Sequence, residues 1–191
     1  MTPLTATEWQ RAREQFHGEV NALVGNWGVC LGLFAQGPAQ ITALNDKAGR
    51  FFGLFQQLLL RDVILSIARL TDGAATARQE NLSLRALLED PAVRDVPALK
   101  QAVAAAVSTA ATIALHRHKY IAHLDRAVAA GLVLPALTRS EIDTAIAAIR
   151  NAFATYFLDV ERQPLLIVDE AESIVRPLLL CLMREDPPGA P

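Results

Sequence analysis

Three of the four histidines stand in or directly before one stretch, Arg117-His118-Lys119-Tyr120-Ile121-Ala122-His123-Leu124-Asp125-Arg126, with His116 leading into it. Together with Arg117, Lys119 and Arg126 they form a local cationic cluster facing only Asp125, in a chain whose formal net charge is -2. Such a cluster suits phosphate: arginine stays charged and grips oxygens in a fixed fork, while histidine titrates near neutral pH and can move protons.

These residue types support three readings. In the first, the site handles phosphate: His123 is a general acid or base, Arg117 stabilises charge on phosphorus, and His118 or Lys119 orients a nucleic-acid backbone. An RNA substrate would need neither metal nor cofactor, because its 2′-hydroxyl can attack the adjacent phosphate and leave a cyclic phosphate. In the second, His116, His118 or His123 joins Asp125 around a metal ion, although the spacing does not match the i, i+4 histidine pairs of helical zinc sites. In the third, the cluster is a solvated basic helix end whose Arg117 pairs with an acid such as Asp62 or Asp72.

The elements that must hold this stretch read as helices. At 191 residues and 52% hydrophobic content the chain can bury a sizeable core, and 6% aromatic content with recurrent alanine and leucine favours helix over strand. We expect an all-α protein, an antiparallel bundle of five or six helices in one domain over residues 1–186, with 187–191 a disordered tail. Thr5 and Glu8 have capping-box spacing before a helix ending near Phe34, and Gly37-Pro38 opens a short helix to about Asn45. From Asp46 to Leu70 apolar residues cover most of a helix, crossed by a polar stripe of Asp62, Ser66 and Arg69. That stripe reads as an ion pair within or between helices, or as Asp62 or Arg69 supporting the histidine cluster. The interrupting charges argue against a membrane span, and no signal peptide is visible, so a cytoplasmic location is expected. Cys30 and Cys181 show no metal-type spacing and read as buried thiols in a reduced compartment.

Residues 71–91 read as a surface connection with a short helix from Asn81. Pro97 then opens a helix whose stripe of Leu99, Val103, Ala106, Ala110 and Ile113 continues through Arg117 to Tyr120, Ile121 and Leu124. A second face carries His116, Lys119, His123 and Arg126, the residues placed to touch substrate. On an ideal helix Arg117 and His123 diverge by roughly 120°, so either the helix bends within the motif or two subunits line one cleft. Gly131 and Pro135 mark a loop, Thr138 and Glu141 cap a helix ending near Arg162, and a last helix from about Asp169 should bury Ile174, Val175, Leu178, Leu179 and Leu182, with a kink at Pro177.

The motif resembles the signature of the HEPN superfamily, an arginine followed by a polar residue and, after a short gap, a histidine; here these are Arg117, His118 and His123. The chain is more narrowly similar to the AbiU-like abortive-infection branch, through Arg61-Asp62-Val-Ile-Leu-Ser-Ile-Ala-Arg69-Leu-Thr-Asp72, then Asn81-Leu-Ser-Leu84, then Lys119-Tyr-Ile-Ala-His-Leu-Asp125. The resemblance implies a dimerising all-α bundle with both arginines and histidines near the interface. It also implies a metal-independent endoribonuclease in phage defence or a toxin–antitoxin pair, or else a module that only binds RNA, nucleotide or a partner protein. In that reading Arg117, His118 and His123 are catalytic, with Asp62, Arg69, Tyr120 and Asp125 in support. His123 is followed by Leu124-Asp125, not by the tyrosine of one toxin branch that its antitoxin modifies.

Overall fold

The computed structural model describes residues 4–76, 79–122 and 135–182, with side chains at all of these except 76, 79, 80 and 120–122. Helices α1 (Ala6–Phe34) and α2 (Pro38–Thr71) come first. A two-residue antiparallel ladder follows, β1 (Ala75–Thr76) with β2 (Gln79–Glu80), and then a 3₁₀ turn at Ala86–Glu89. Next come α3 (Val96–Thr109), α4 (Ala111–His116) and a π-helical segment, Arg117–Ala122. The described chain ends with α5 (Arg139–Glu161) and α6 (Ala171–Leu182). The fold is all-α apart from that small ladder, which sequence periodicity did not reveal because two residues per strand carry no pattern.

Local chemistry accounts for the boundaries. Thr5 and Glu8 form the expected reciprocal cap, Glu8 accepting from the Thr5 N–H at 2.8 Å and the Thr5 hydroxyl accepting from the Glu8 N–H at 3.3 Å. The bonds that the Thr5 N–H and hydroxyl donate to the Glu8 carboxyl hold it below its ordinary pKa. Thr138 and Glu141 do the same for α5, which stops at Arg162 in the left-handed conformation. Asp95 caps α3, accepting from the Ala98 N–H at 3.1 Å, with Pro97 in the first turn. The break expected after Asn45 is a non-helical Ala48, φ −162° and ψ 54°, inside α2.

Contacts cluster in two units, residues 1–23 with 64–167 and residues 24–63 with 168–191. In the first, α3 packs extensively against α5, and Leu99, Val103 and Ala106 of the one and Ile142, Ala145, Ile149 and Phe153 of the other are buried, as is Ile113 of α4. Phe16 of α1 meets Phe153 with ring centroids 4.9 Å apart. The 71–91 connection is not merely superficial, since Ser83, Leu84, Leu87 and Asp90 are all buried.

In the second unit, Val24, Trp27, Cys30, Leu33, Phe52, Leu59 and Val63 are buried, and α6 lies against α1 where glycines permit it. A Cβ on Gly28 would stand 2.6 Å from the Ala171 Cβ, and one on Gly32 3.1 Å from Val175. Two expectations fail here. Only Val175 of the predicted α6 face is buried, while Ile174 and Leu178 are exposed. Cys181 is exposed too, because α6 touches α1 along one narrow line. Nor is α2 covered all round: Phe51, Leu54 and Leu58, at spacings of three and four, are each more than half exposed. By length and composition α2, and the bent α3–α4 pair as a broken span, are apolar enough to cross a bilayer, and a third of the α2 window is buried. Core helices pass the same test, so neither is thereby assigned to lipid.

Replacing Gly28 by alanine should destabilise the protein by about 1–3 kcal/mol through overpacking. Gly25→Ala, where nothing stands within 4 Å of the new methyl, should stabilise it by roughly 0.5–1 kcal/mol. Urea midpoints of the two variants check this, and equal midpoints would contradict the close approach.

Candidate functional site

The motif does not continue a straight rod. Between α3 and the segment that runs from Ala111 to Lys119 the axis turns by 51°. Ala110 at the corner has φ −85° and ψ −4°, and the Thr109 hydroxyl donates to the carbonyls of Ala105 and Ala106, back-bonding of a kind that bends helices. From Arg117 the backbone widens into a π-helical turn, a feature concentrated at functional sites. The bend thus precedes the motif instead of falling within it, Ile113 beyond the corner is still buried, and the position of His123 relative to Arg117 lies outside the described residues.

Arg117 is drawn to Asp72, at the end of α2, with Nη2 3.5 Å from Oδ2; both side chains are about one-third exposed. That separation is longer than a charge-assisted hydrogen bond. Its Nε is buried and makes no hydrogen bond among the described residues. Asp72 is itself held from behind: Asn81 bonds the Gly73 carbonyl through Nδ2 and the Ala74 carbonyl through its N–H, and the Leu84 N–H bonds the Leu70 carbonyl. The Asn81–Leu84 stretch thus clamps the turn that presents the acid.

The remaining predicted residues divide. His116, expected on an open face, has Nε2 2.5 Å from the Pro135 carbonyl and adds to the cap bonds of Thr138 in holding the Glu141 carboxyl below its usual pKa. It ties the motif to the chain entering α5. His118 is exposed and Lys119 half-buried. Asp62 accepts from Asn26 at 2.8 Å, and Arg69 pairs with Glu19 at 3.1 Å and donates to Ser66 at 3.0 Å. The bonds of Asp62 and Arg69 thus go to residues outside the motif. Arg69 is more than half exposed, so its pair does not serve buried charge. The Tyr120 side chain, His123, Asp125, Arg126, Gly131 and the tail at 187–191 lie outside the described residues. Among the described residues no three of His, Cys, Asp and Glu gather where one metal ion would sit.

Sequence reading missed a second polar centre in the first unit. Asp90, 3% exposed, accepts at Oδ2 from Arg13 Nε at 3.1 Å and from the Tyr156 hydroxyl at 2.5 Å, and at Oδ1 from the Ala92 N–H. Arg13 Nε also meets the Tyr156 oxygen at 3.1 Å, and its Nη1 bonds Glu161 at 2.7 Å. Burial, then the bond to Asp90, pushes the Tyr156 phenol well above its ordinary pKa. The available signal was Tyr156 itself, whose hydroxyl on a buried face needs a partner.

With this geometry in view, the family comparison is decisive. The AbiU2 family model, one of the HEPN families, matches residues 6–172. The chain belongs to that family. AbiU2 membership makes this chain an abortive-infection HEPN domain. No curated protein and no solved structure matches the chain.

Because the Arg117–Asp72 pair is long and partly solvated, a double-mutant cycle with Asp72→Asn and Arg117→Gln should return a coupling of only roughly 0.2–1 kcal/mol in unfolding free energy. A coupling several times larger would make Arg117 a structural anchor.

Proposed function

We propose that this AbiU2-family domain is a metal-independent endoribonuclease acting in the cytoplasm in phage defence or within a toxin–antitoxin pair. The observation that carries the reading is the state of Arg117. A guanidinium serving only to hold the fold would be expected in a short, bidentate pair; among the described residues this one has a 3.5 Å contact with Asp72 and a buried Nε that makes no hydrogen bond. Unsatisfied buried polar groups are rare and concentrate where function tolerates strain.

In the reaction, His123 takes the proton of the RNA 2′-hydroxyl, the oxygen attacks the adjacent phosphorus, and Arg117 stabilises the charge gathering on its oxygens. The bond to the 5′-oxygen breaks as that oxygen takes a proton, giving a cyclic phosphate and a free 5′-hydroxyl. His118 and Lys119 line up the backbone, with Arg126 beyond them. A second copy of the chain would complete the cleft and supply the acid for the leaving group. The exposed Phe51, Leu54 and Leu58 offer an apolar seam for self-association. Asp72 also favours a second reading, in which Arg117 stays occupied and the domain only binds RNA, nucleotide or a partner protein.

Full-length protein should cut single-stranded RNA in the presence of a chelator, and His123→Ala should slow cutting by roughly 10²–10⁴-fold with circular dichroism unchanged. Undiminished cleavage by that variant would sink the catalytic assignment. If no cleavage is seen but RNA is retained at low salt, retention that survives His123→Ala and weakens steeply with salt selects the binding reading.

A further inference from the structure

The Arg13 centre faces a cavity far from the motif. His116 holds Pro135 just ahead of α5, whereas Phe157 lies eighteen residues past Arg139, roughly 27 Å along the helix at 1.5 Å per residue. There α1 and α5 flank a half-open cavity of about 460 Å³ lined by Gln10, Arg13, Glu14, His17, Phe157 and Glu161.

The lining has a definite pattern of donors, acceptors and rings. Arg13 is fixed in place by buried Asp90 and Tyr156 through Nε and by Glu161 through Nη1. Its Nη2 has no hydrogen bond among the described residues and is not among the buried unsatisfied atoms, so it keeps two N–H donors for a ligand. Beside it Glu14 carries two acceptor oxygens, one of them engaged only by a 3.4 Å bond from Gln10. Phe157 supplies a half-buried ring whose centroid is 5.9 Å from that of His17. The His17 ring is itself pinned by a 2.9 Å bond between Nε2 and the Leu166 carbonyl.

We propose that this cavity binds a guanine base. Guanine presents an acceptor, O6, beside two adjacent N–H donors, N1 and the 2-amino group. Arg13 Nη2 matches the first, the Glu14 carboxylate takes both of the others, and Phe157 offers a stacking face. Adenine, cytosine and uracil do not place two adjacent donor positions on one edge. One arginine against two glutamates leaves the lining net acidic, so the site holds the base and not a phosphate. The base can come from a free guanine nucleoside or from a guanine within RNA. The proposal stands whether or not Arg117 and His123 cut RNA.

The test is calorimetric titration of the full chain with guanosine, inosine, adenosine, cytidine and uridine. Guanosine should bind at least about tenfold more tightly than each of the others, inosine included because it lacks the 2-amino group. Glu14→Gln should lose that preference, since the amide replaces an acceptor with a donor, and Phe157→Leu should weaken guanosine by about fivefold or more. Circular dichroism of both variants confirms that they fold. Equal affinity for all five nucleosides, no saturable binding of guanosine, or guanosine binding unchanged in Glu14→Gln would each overturn the proposal. A short RNA with one guanine separates the sources. Binding tighter than guanosine, and lost when inosine replaces that guanine, assigns an RNA base; binding no tighter than guanosine assigns the free nucleoside.

Discussion

One constraint governs this structure: the helix that carries the motif cannot be both a packed core helix and an open cationic platform while it stays straight. Its apolar stripe is buried through Ile113, with α3 packed against α5. If the same phase continued, Arg117 would be driven into that seam with an uncompensated charge, which is costly in an apolar interior. The 51° turn at Ala110 and the π-helical segment from Arg117 resolve the conflict. The guanidinium comes out far enough to meet Asp72, with a third of its side chain exposed.

That resolution explains why distant stretches accompany the motif. Asp72 is effective only if the turn after α2 is held, and the Asn81–Leu84 segment holds it through three hydrogen bonds to the 70–74 backbone. His116 fixes the other side by bonding the Pro135 carbonyl just ahead of α5. The buried Asp90–Tyr156–Arg13 centre does for the far end of α5 what these contacts do for the near end. Asp159 joins it there by accepting from the N–H groups of Arg94 and Asp95, bonds that hold its carboxyl below the ordinary range.

Much of this was legible in the sequence because it is set locally. The capping boxes at Thr5 and Thr138, the break at Gly37-Pro38, the start at Pro97 and the buried stripe from Leu99 to Ile113 follow from short-range geometry. For Arg117 the sequence offers acids such as Asp62 or Asp72 as partners, and the choice between them needs the turn that presents Asp72. What escaped the sequence depends on contacts distant along the chain. Nothing near Arg13 announces Asp90, 77 residues away, and nothing in α6 shows that Gly28 and Gly32 admit it along a line too narrow to cover Ile174 and Leu178. The exposed Phe51–Leu54–Leu58 seam has the same origin, since periodicity identifies an apolar face but not what covers it.

The central claim is the proposal that Arg117 and His123 serve a 2′-hydroxyl attack. An RNA identical except for one 2′-deoxy nucleotide at the scission point tests it most directly, with product ends read by mass spectrometry in chelator. The account predicts a 2′,3′-cyclic phosphate from the all-ribose strand and no cut at the deoxy position. Cleavage of both strands at equal rates, or a product ending in a free 3′-hydroxyl, would contradict it.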